Sequence, residues 1–235
     1  MSKVARFFCI SSVWLGYLVS LTVVGTFAFP AMAKVPAVNP STPKQERIMV
    51  FGDSLSAAYG INPAAGWVSL LAGQLKTRGV EVVNASISGE TTSGGAARIK
   101  ADLKNQKPTV VLLALGANDG LRGLPVAAMK KNLETIIVAS RAAGARVVMI
   151  GIQIPPNYGI EYADSFRATY SALAVQYKLL LVPFLLDGIA DKLELFQADR
   201  MHPAAIAQPR ILKNVMPVVE QALKKQPQPT QKVKL

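Results

Sequence analysis

The chain has 235 residues, of which 51% are hydrophobic and 17% charged. It is long enough for one domain with a sizeable core and too short for two ordinary ones. The formal net charge is +12, as in many nucleic-acid-binding proteins. However, most basic residues are scattered and none are interleaved with aromatic ones, so we expect no nucleic-acid partner.

Residues 1–33 have the pattern of a secretory signal peptide. Lys3 and Arg6 precede a long apolar stretch that ends in Ala-Met-Ala. This order predicts export to the periplasm or the medium, with cleavage after the last of these alanines. The apolar stretch is long for a cleaved signal, so an uncleaved membrane anchor is the alternative. Residues 34–46 are then a linker to the main domain.

Apolar runs alternate with helix-like segments through the rest of the chain. The runs predict buried strands at 47–52, 80–86, 109–116, 145–152 and 179–184. The segments between and after them predict helices at 66–79, 91–106, 125–144, 165–177 and 203–224. Pro125 suits the first position of its helix, and Gly144 suits the cap. Because the strands lack polar alternation, they predict a parallel sheet that is covered on both faces. The predicted fold class is therefore α/β: a three-layer α/β/α sandwich with a five-stranded parallel sheet.

The predicted domain covers residues 47–223, and a different kind of segment follows it. Residues 224–235 contain four lysines and no acidic residue, among proline and glutamine. Such a composition predicts a basic disordered tail. Its charge predicts weak attraction to an anionic membrane surface.

Three residues lie directly after predicted strands, where parallel sheets bind their ligands. They are Ser54, Gly89 and Asn118. A hydroxyl, a flexible glycine amide and a carboxamide are the parts that a serine hydrolase needs for its nucleophile and oxyanion hole. Each residue alone is also an ordinary turn residue. Asp53 is expected to accept hydrogen bonds from loop amides and so to support the neighbouring Ser54.

The only histidine of the chain, His202, lies three residues after Asp199. On a turn the Asp199 carboxylate can accept a hydrogen bond from one ring nitrogen and leave the other basic. The alternative is a surface histidine near a helix that starts at Pro203. Because the single cysteine, Cys9, falls in the signal segment, a Cys/His zinc site is excluded by ligand count. Glycine-rich nucleotide motifs and the G-x-S-x-G elbow are absent.

Four blocks resemble those of the SGNH (GDSL-type) hydrolases, in the order that the family shows. They are FGDSLSAAYG, NASISGETTSGG, LGANDGLRG and DRMHP, and they extend over a domain of about residues 47–222. The sequences NASISGET, GANDGLRG, IPPNYG and AQP resemble more closely an exported bacterial branch whose members are called thioesterase, lysophospholipase or arylesterase. The resemblance implies the SGNH hydrolase fold, which is flavodoxin-like.

By this resemblance Ser54 is the nucleophile, His202 the general base and Asp199 its partner. The backbone amides of Ser54 and Gly89 and the side chain of Asn118 form the oxyanion hole. No metal and no organic cofactor are required. The sequence departs from the family at Arg200-Met201, where Gly-Ile is common, and we expect this pair to alter the rim of the site and its contact with lipid.

The implied function is a serine esterase that acts through an acyl-enzyme on Ser54. Its partner is a small-molecule acyl ester, such as an aryl or alkyl ester, an acyl thioester or a lysophospholipid, and we expect a monomer. The loop at 152–164 should border the acyl groove, with Ile154, Pro155, Tyr158 and Ile160 as its apolar wall. The alternatives are a carbohydrate O-acetyl esterase and an inactive lipid-binding protein with the same groove.

Overall fold

A computed structural model describes residues 45–224, which contain a parallel sheet of five strands. The strands are β1 (Arg47–Gly52), β2 (Glu81–Asn84), β3 (Val110–Ala114), β4 (Arg146–Ile150) and β5 (Leu180–Val182). Their order across the sheet is β2-β1-β3-β4-β5. In this register Val50 of β1 lies beside Asn84 of β2 and Leu112 of β3. The predicted fold class is confirmed.

Six α-helices accompany the strands in the described residues. They are α1 (Trp67–Lys76), α2 (Thr92–Gln106), α3 (Ala117–Leu121), α4 (Val126–Ala142), α5 (Ile160–Gln176) and α6 (Gln208–Lys224). Helix α1 packs against α6, and α4 packs against both α2 and α5. Right-handed crossovers place these two groups on opposite faces of the sheet. All of β3 is therefore buried, as its continuous apolar sequence predicts.

Several boundaries differ from those predicted. Helix α5 begins at Ile160, so the end of the predicted groove loop is helical. Helix α6 begins at Gln208 rather than at Pro203, because Pro203 instead pairs with Phe196 in an antiparallel bridge. Pro125 is the N-cap of α4 and not its first residue. The sequence does not predict the five-residue helix α3.

The strand order fixes where a ligand can enter. Strand β2 lies on one side of β1 and β3 lies on the other, so the connections from β1 and from β2 leave in opposite directions. The carboxyl ends of β1 and β3 border the crevice that such a reversal creates. Ser54 follows β1, Asn118 follows β3 and Gly89 follows β2.

Trp67 connects the loop after β1 with the start of α6. Its indole Nε1 donates to the carbonyl of Leu55 (3.1 Å), and its backbone N–H donates to Oε1 of Gln208 (3.0 Å). Gln208 is buried, and its Nε2 donates to the carbonyl of Pro203 (3.4 Å). Buried polar groups that are fully paired hold segments in one arrangement. The side chains of Trp67 and Gln208 therefore connect the segment after Ser54 with the segment after His202.

Some predicted segments lie outside the described residues. The predicted signal peptide and all but the last two residues of the predicted linker do so. The predicted tail does so too, except for Lys224, which is the last residue of α6. Between residues 45 and 224, none of the helices is both long and apolar enough to cross a membrane.

Candidate active site

Ser54, His202 and Asp199 form a chain of hydrogen bonds at the carboxyl edge of the sheet. Oγ of Ser54 lies 2.9 Å from Nε2 of His202, and Nδ1 of His202 lies 2.7 Å from Oδ2 of Asp199. With the ring proton on Nδ1 donated to the carboxylate, Nε2 is left to accept the serine hydroxyl proton. Ser54 and His202 are 148 residues apart in the sequence, so the fold alone brings them together.

Asp199 is held by its own turn. Its Oδ1 accepts the backbone N–H groups of Met201 (2.9 Å) and His202 (3.0 Å). The pKa of Asp199 is lowered to about 2, first by the backbone N–H of His202, then by the His202 ring and the Met201 N–H. The pKa of Asp199 is thus lower in the folded protein than in the unfolded chain. The ionised Asp199 therefore adds to the free energy of unfolding above about pH 4, and this contribution is lost as the pH falls toward 2.

Two side chains that the sequence did not indicate restrain the loop of His202. The ring of Tyr59 packs against the imidazole, with centroids 4.5 Å apart. Nε2 of Gln197 donates to the carbonyl of Tyr59 (2.8 Å), and the backbone N–H of Gln197 donates to the carbonyl of His202 (2.8 Å). Only tertiary structure could reveal these contacts, since Gln197 and Tyr59 are 138 residues apart and no role for Tyr59 follows from its place in the block FGDSLSAAYG.

Gly89 and Asn118 line the same cleft as Ser54. Gly89 has φ of +80°, which glycine adopts without the steric cost of a Cβ atom. Its carbonyl accepts a hydrogen bond from Nη2 of Arg122 (3.0 Å), and the carbonyl of Glu90 accepts one from Nδ2 of Asn118 (2.9 Å). Because a carboxamide nitrogen carries two hydrogens, Asn118 retains one N–H for a bound group.

A buried network fixes the position of Asn118. The next residue, Asp119, is buried, and its carboxylate accepts the backbone N–H (2.8 Å) and the hydroxyl (2.6 Å) of Thr92. Nδ2 of Asn132 donates to the same hydroxyl (3.2 Å). Thr92 is the first residue of α2, where an anion is favoured by the helix dipole. Helix α3, which contains Asn118, is thus attached to the start of α2.

The loop of Gly89 has a second anchor in Arg98. This guanidinium contacts the carboxylate of Glu90 and that of Asp102 (2.6 Å) and lies 4.0 Å above the ring of Phe51 in β1. A cation that is largely removed from water gains from both carboxylates and from the aromatic face. The segment around Gly89 is therefore tied to α2 and to the central sheet.

Asp53 is buried beside Ser54. Its side chain accepts the backbone N–H of Leu55 (3.0 Å), as predicted from the sequence. Burial raises the pKa of Asp53 to about 7; the N–H of Leu55 opposes this rise, and the charges of Asp119 and Glu90 add to it. The cause is the cost of removing a carboxylate from water.

Asp53→Asn should make stability less dependent on pH. In the unchanged protein, the folded state retains a proton on Asp53 that an unfolded carboxyl with a pKa of 3.8 releases. The free energy of unfolding therefore falls as the pH rises from about 4 to about 7. Asparagine keeps an acceptor for Leu55 and has no charge. Its advantage over aspartate should grow by on the order of 1 kcal/mol per pH unit in that interval.

Urea unfolding at several pH values measures this difference, with Asp191→Asn as the control. Asp191 is exposed, so its replacement removes one charge without changing a buried carboxyl. Parallel pH profiles for Asp53→Asn and the unchanged protein would contradict the expectation.

An open cleft of about 790 Å³ extends from Ser54, a size suited to a small-molecule ligand. Ile154, Pro155 and Tyr158 line it. Ile160, which the sequence placed in the apolar wall, does not line the cleft: it is the first residue of α5 and is 75% exposed. Apolar lining that the sequence did not indicate comes from Leu55, Leu121, Phe184, Leu186 and Phe196. Residues 45–224 contain no cluster of His, Cys, Asp or Glu suited to a metal ion.

Curated relatives align with most of this chain. Esterase TesA of Pseudomonas aeruginosa is 47% identical over 180 residues, which cover 76% of this chain and 90% of the relative. An arylesterase of Vibrio mimicus is 42% identical over 180 residues, with coverage of 76% and 90%. The thioesterase 1/protease 1/lysophospholipase L1 of Escherichia coli is 38% identical over 178 residues, with coverage of 74% and 85%.

Solved structures share the fold. A crystal structure of TesA has a TM-score of 0.73 at 47% identity and covers 75% of this chain and 99% of its own. The psychrotrophic esterase EstA from Pseudoalteromonas sp., inhibited by monoethylphosphonate, has a TM-score of 0.73 at 40% identity, with coverage of 77% and 100%. Residues 50–208 also match the model of one family. The chain therefore belongs to the GDSL-like lipase/acylhydrolase family and is a hydrolase with the SGNH fold.

Proposed function

We propose that the protein hydrolyses carboxylic ester and thioester bonds of small acyl substrates through an acyl-enzyme on Ser54. The observation that carries the proposal is the pair of hydrogen bonds that connects Ser54 to His202 (2.9 Å) and His202 to Asp199 (2.7 Å). A serine hydroxyl is a weak nucleophile until an adjacent base accepts its proton. This arrangement supplies that base and holds it in one orientation.

In the first step, Oγ of Ser54 attacks the carbonyl carbon while Nε2 of His202 takes the hydroxyl proton. The imidazolium that forms is stabilised by the Asp199 carboxylate, which remains ionised. The low pKa of Asp199 supports this role, because a protonated carboxyl could not stabilise the cation. Packing of Tyr59 against the ring limits the orientations that His202 can take.

Negative charge develops on the carbonyl oxygen of the substrate during attack. We assign its stabilisation to the backbone N–H groups of Ser54 and Gly89 and to the remaining N–H of Asn118. The support is that all three residues line the cleft. Arg122 and Arg98 anchor the Gly89 loop, and Asn118 is bound to the Glu90 carbonyl of that loop. These two donors are therefore in place before substrate binds, which is what gives such donors their effect.

The leaving alcohol or thiol then takes the proton from His202, and water attacks the acyl-enzyme by the same route in reverse. The acyl chain lies in the apolar part of the cleft, against Ile154, Pro155 and Tyr158. No step in this scheme needs a metal or an organic cofactor.

The substrates that we propose are aryl and alkyl esters, acyl thioesters and lysophospholipids. Relatives with the names arylesterase and thioesterase 1/protease 1/lysophospholipase L1 support this range. We further propose export to the periplasm or the medium, from the pattern at 1–33, and a monomer that is weakly attracted to anionic membranes. Cell fractionation, gel filtration and sedimentation with anionic vesicles test these three points.

A series of p-nitrophenyl esters from acetyl to palmitoyl tests the proposed activity, with Ser54→Ala beside the unchanged protein. We expect turnover to peak at medium or long acyl chains and to fall to background in Ser54→Ala. Ser56→Ala is the matched control, because it is buried in the same loop and its hydroxyl has no partner among the described residues.

The outcomes separate the alternatives. Turnover confined to the acetyl ester would favour a carbohydrate O-acetyl esterase. No turnover of any ester by the folded protein would overturn the proposal and leave a lipid-binding protein. Equal activity of Ser54→Ala and the unchanged protein would reject Ser54 as the nucleophile.

A further inference from the structure

Arg200 lines the cleft, and its guanidinium is unpaired within residues 45–224. Residues 45–224 contain nine arginines, and each of the other eight guanidinium groups has a hydrogen bond or an ion pair. That of Arg200 has neither within the described part of the chain. Arg200 is exposed and lines the same cleft as Ser54 and His202. Its charge is therefore available to an anion that enters the cleft.

The backbone at Arg200 is fixed in a conformation that favours glycine. Its φ is +55°, which carries a steric cost for any residue with a Cβ atom. The turn is held by Asp199, through its bonds to the two N–H groups that follow Arg200, and by the N–H of Arg200, which donates to the carbonyl of Gln197 (2.9 Å). The side chain of Arg200 thus starts from a rigid point, two residues from His202.

The other charges in the lining do not replace this cation. Asp199 is engaged with His202. Asp191 is the remaining exposed charge among the described lining residues, and it is negative. Among the described lining residues, Arg200 is therefore the side chain whose permanent positive charge can attract an anion into the cleft; Arg122, which lies beside Gly89, is engaged with the Gly89 carbonyl.

On the basis of the proposed function, we propose that Arg200 binds a phosphate in the leaving group. This contact makes the enzyme prefer acyl esters of glycerophosphate over neutral esters. His202 protonates the leaving oxygen, so the leaving group departs beside His202, where Arg200 lies. In a glycerophosphate ester, only the glycerol carbons separate the phosphate from the scissile ester. The phosphates of coenzyme A lie at the far end of a long arm, beyond the reach of this side chain.

The test compares 1-octanoylglycerol 3-phosphate with 1-octanoylglycerol, which share the acyl group and the scissile ester. The readout is the ratio of kcat/KM for the anionic ester to that for the neutral one. We expect this ratio to exceed one in the unchanged protein and to fall about three- to tenfold in Arg200→Gln. Arg200→Lys should keep most of it, and added salt should lower it only where the cation is present.

Arg167→Gln is the matched control, because Arg167 is an exposed arginine of α5 that is paired with Asp164. This variant loses one positive charge at a position outside the cleft, so the ratio should stay unchanged. If Arg200→Gln lowers the turnover of both esters equally, Arg200 only supports the turn of His202 and the inference is overturned. A ratio near one in the unchanged protein overturns it as well.

A second pair, octanoyl-coenzyme A and octanoyl-N-acetylcysteamine, distinguishes the source of the phosphate. A preference confined to this pair would overturn the assignment to glycerophosphate. Failure of the proposed function would look different: the unchanged protein would turn over neither p-nitrophenyl octanoate nor 1-octanoylglycerol, and the inference would fall with it.

Discussion

His202→Ala is expected to lower kcat for p-nitrophenyl esters by about 10⁵-fold or more, close to the loss from Ser54→Ala. The chain has no other histidine, and Nε2 of His202 lies 2.9 Å from Oγ of Ser54. Without this base the hydroxyl retains its proton at neutral pH. Single-turnover kinetics with thermal unfolding as a check of folding measures the effect. A loss below about tenfold would mean that another group accepts the proton.

Asp199→Asn should lose less, on the order of 10³- to 10⁴-fold in kcat. Asparagine retains the shape of aspartate but can offer an N–H to Nδ1, which favours the wrong tautomer of His202 and leaves its imidazolium without a counter-charge. Because Asp199 acts through His202, adding Asp199→Asn to His202→Ala should cause little further loss. Losses that multiply in the double variant would show that Asp199 acts independently of His202.

The sheet was predictable because its strands are apolar runs that end near glycine or proline. In β3, the segment Val110–Ala114 is wholly buried, and no polar alternation suggests an exposed face. The strand order could not be derived from these runs, because it depends on which strands pair and the pattern within one strand does not encode its neighbour. Helix α3 is too short to show a hydrophobic period.

Site residues were predictable where a strand end or a short turn isolates them. Asp199 and His202 are three residues apart, so a turn allows their contact; their pairing as base and partner was implied by the resemblance to the SGNH hydrolases. Tyr59 and Gln197 were not predictable, because each acts through a segment distant in the sequence. Pro203 shows how tertiary structure overrides a local signal: proline suits a helix start, yet here it pairs with Phe196.

Asn118→Ala is expected to lower kcat by about 10²- to 10³-fold with a smaller change in KM. The N–H of Asn118 that remains after its bond to the Glu90 carbonyl is proposed to meet the oxyanion, which is fully charged only in the transition state. Asn118→Asp should lose more than alanine, since its carboxylate faces the Glu90 carbonyl, donates no hydrogen bond and repels the developing charge.

Asn132→Ala separates this effect from damage to the scaffold. Asn132 donates to the Thr92 hydroxyl (3.2 Å), so it belongs to the network that holds α3. Asn132 itself does not line the cleft. Its loss should lower the free energy of unfolding by about 1 kcal/mol and leave kcat within a fewfold of the unchanged protein. If folded Asn118→Ala keeps full kcat, stabilisation of the oxyanion must come from the backbone N–H groups of Ser54 and Gly89 alone.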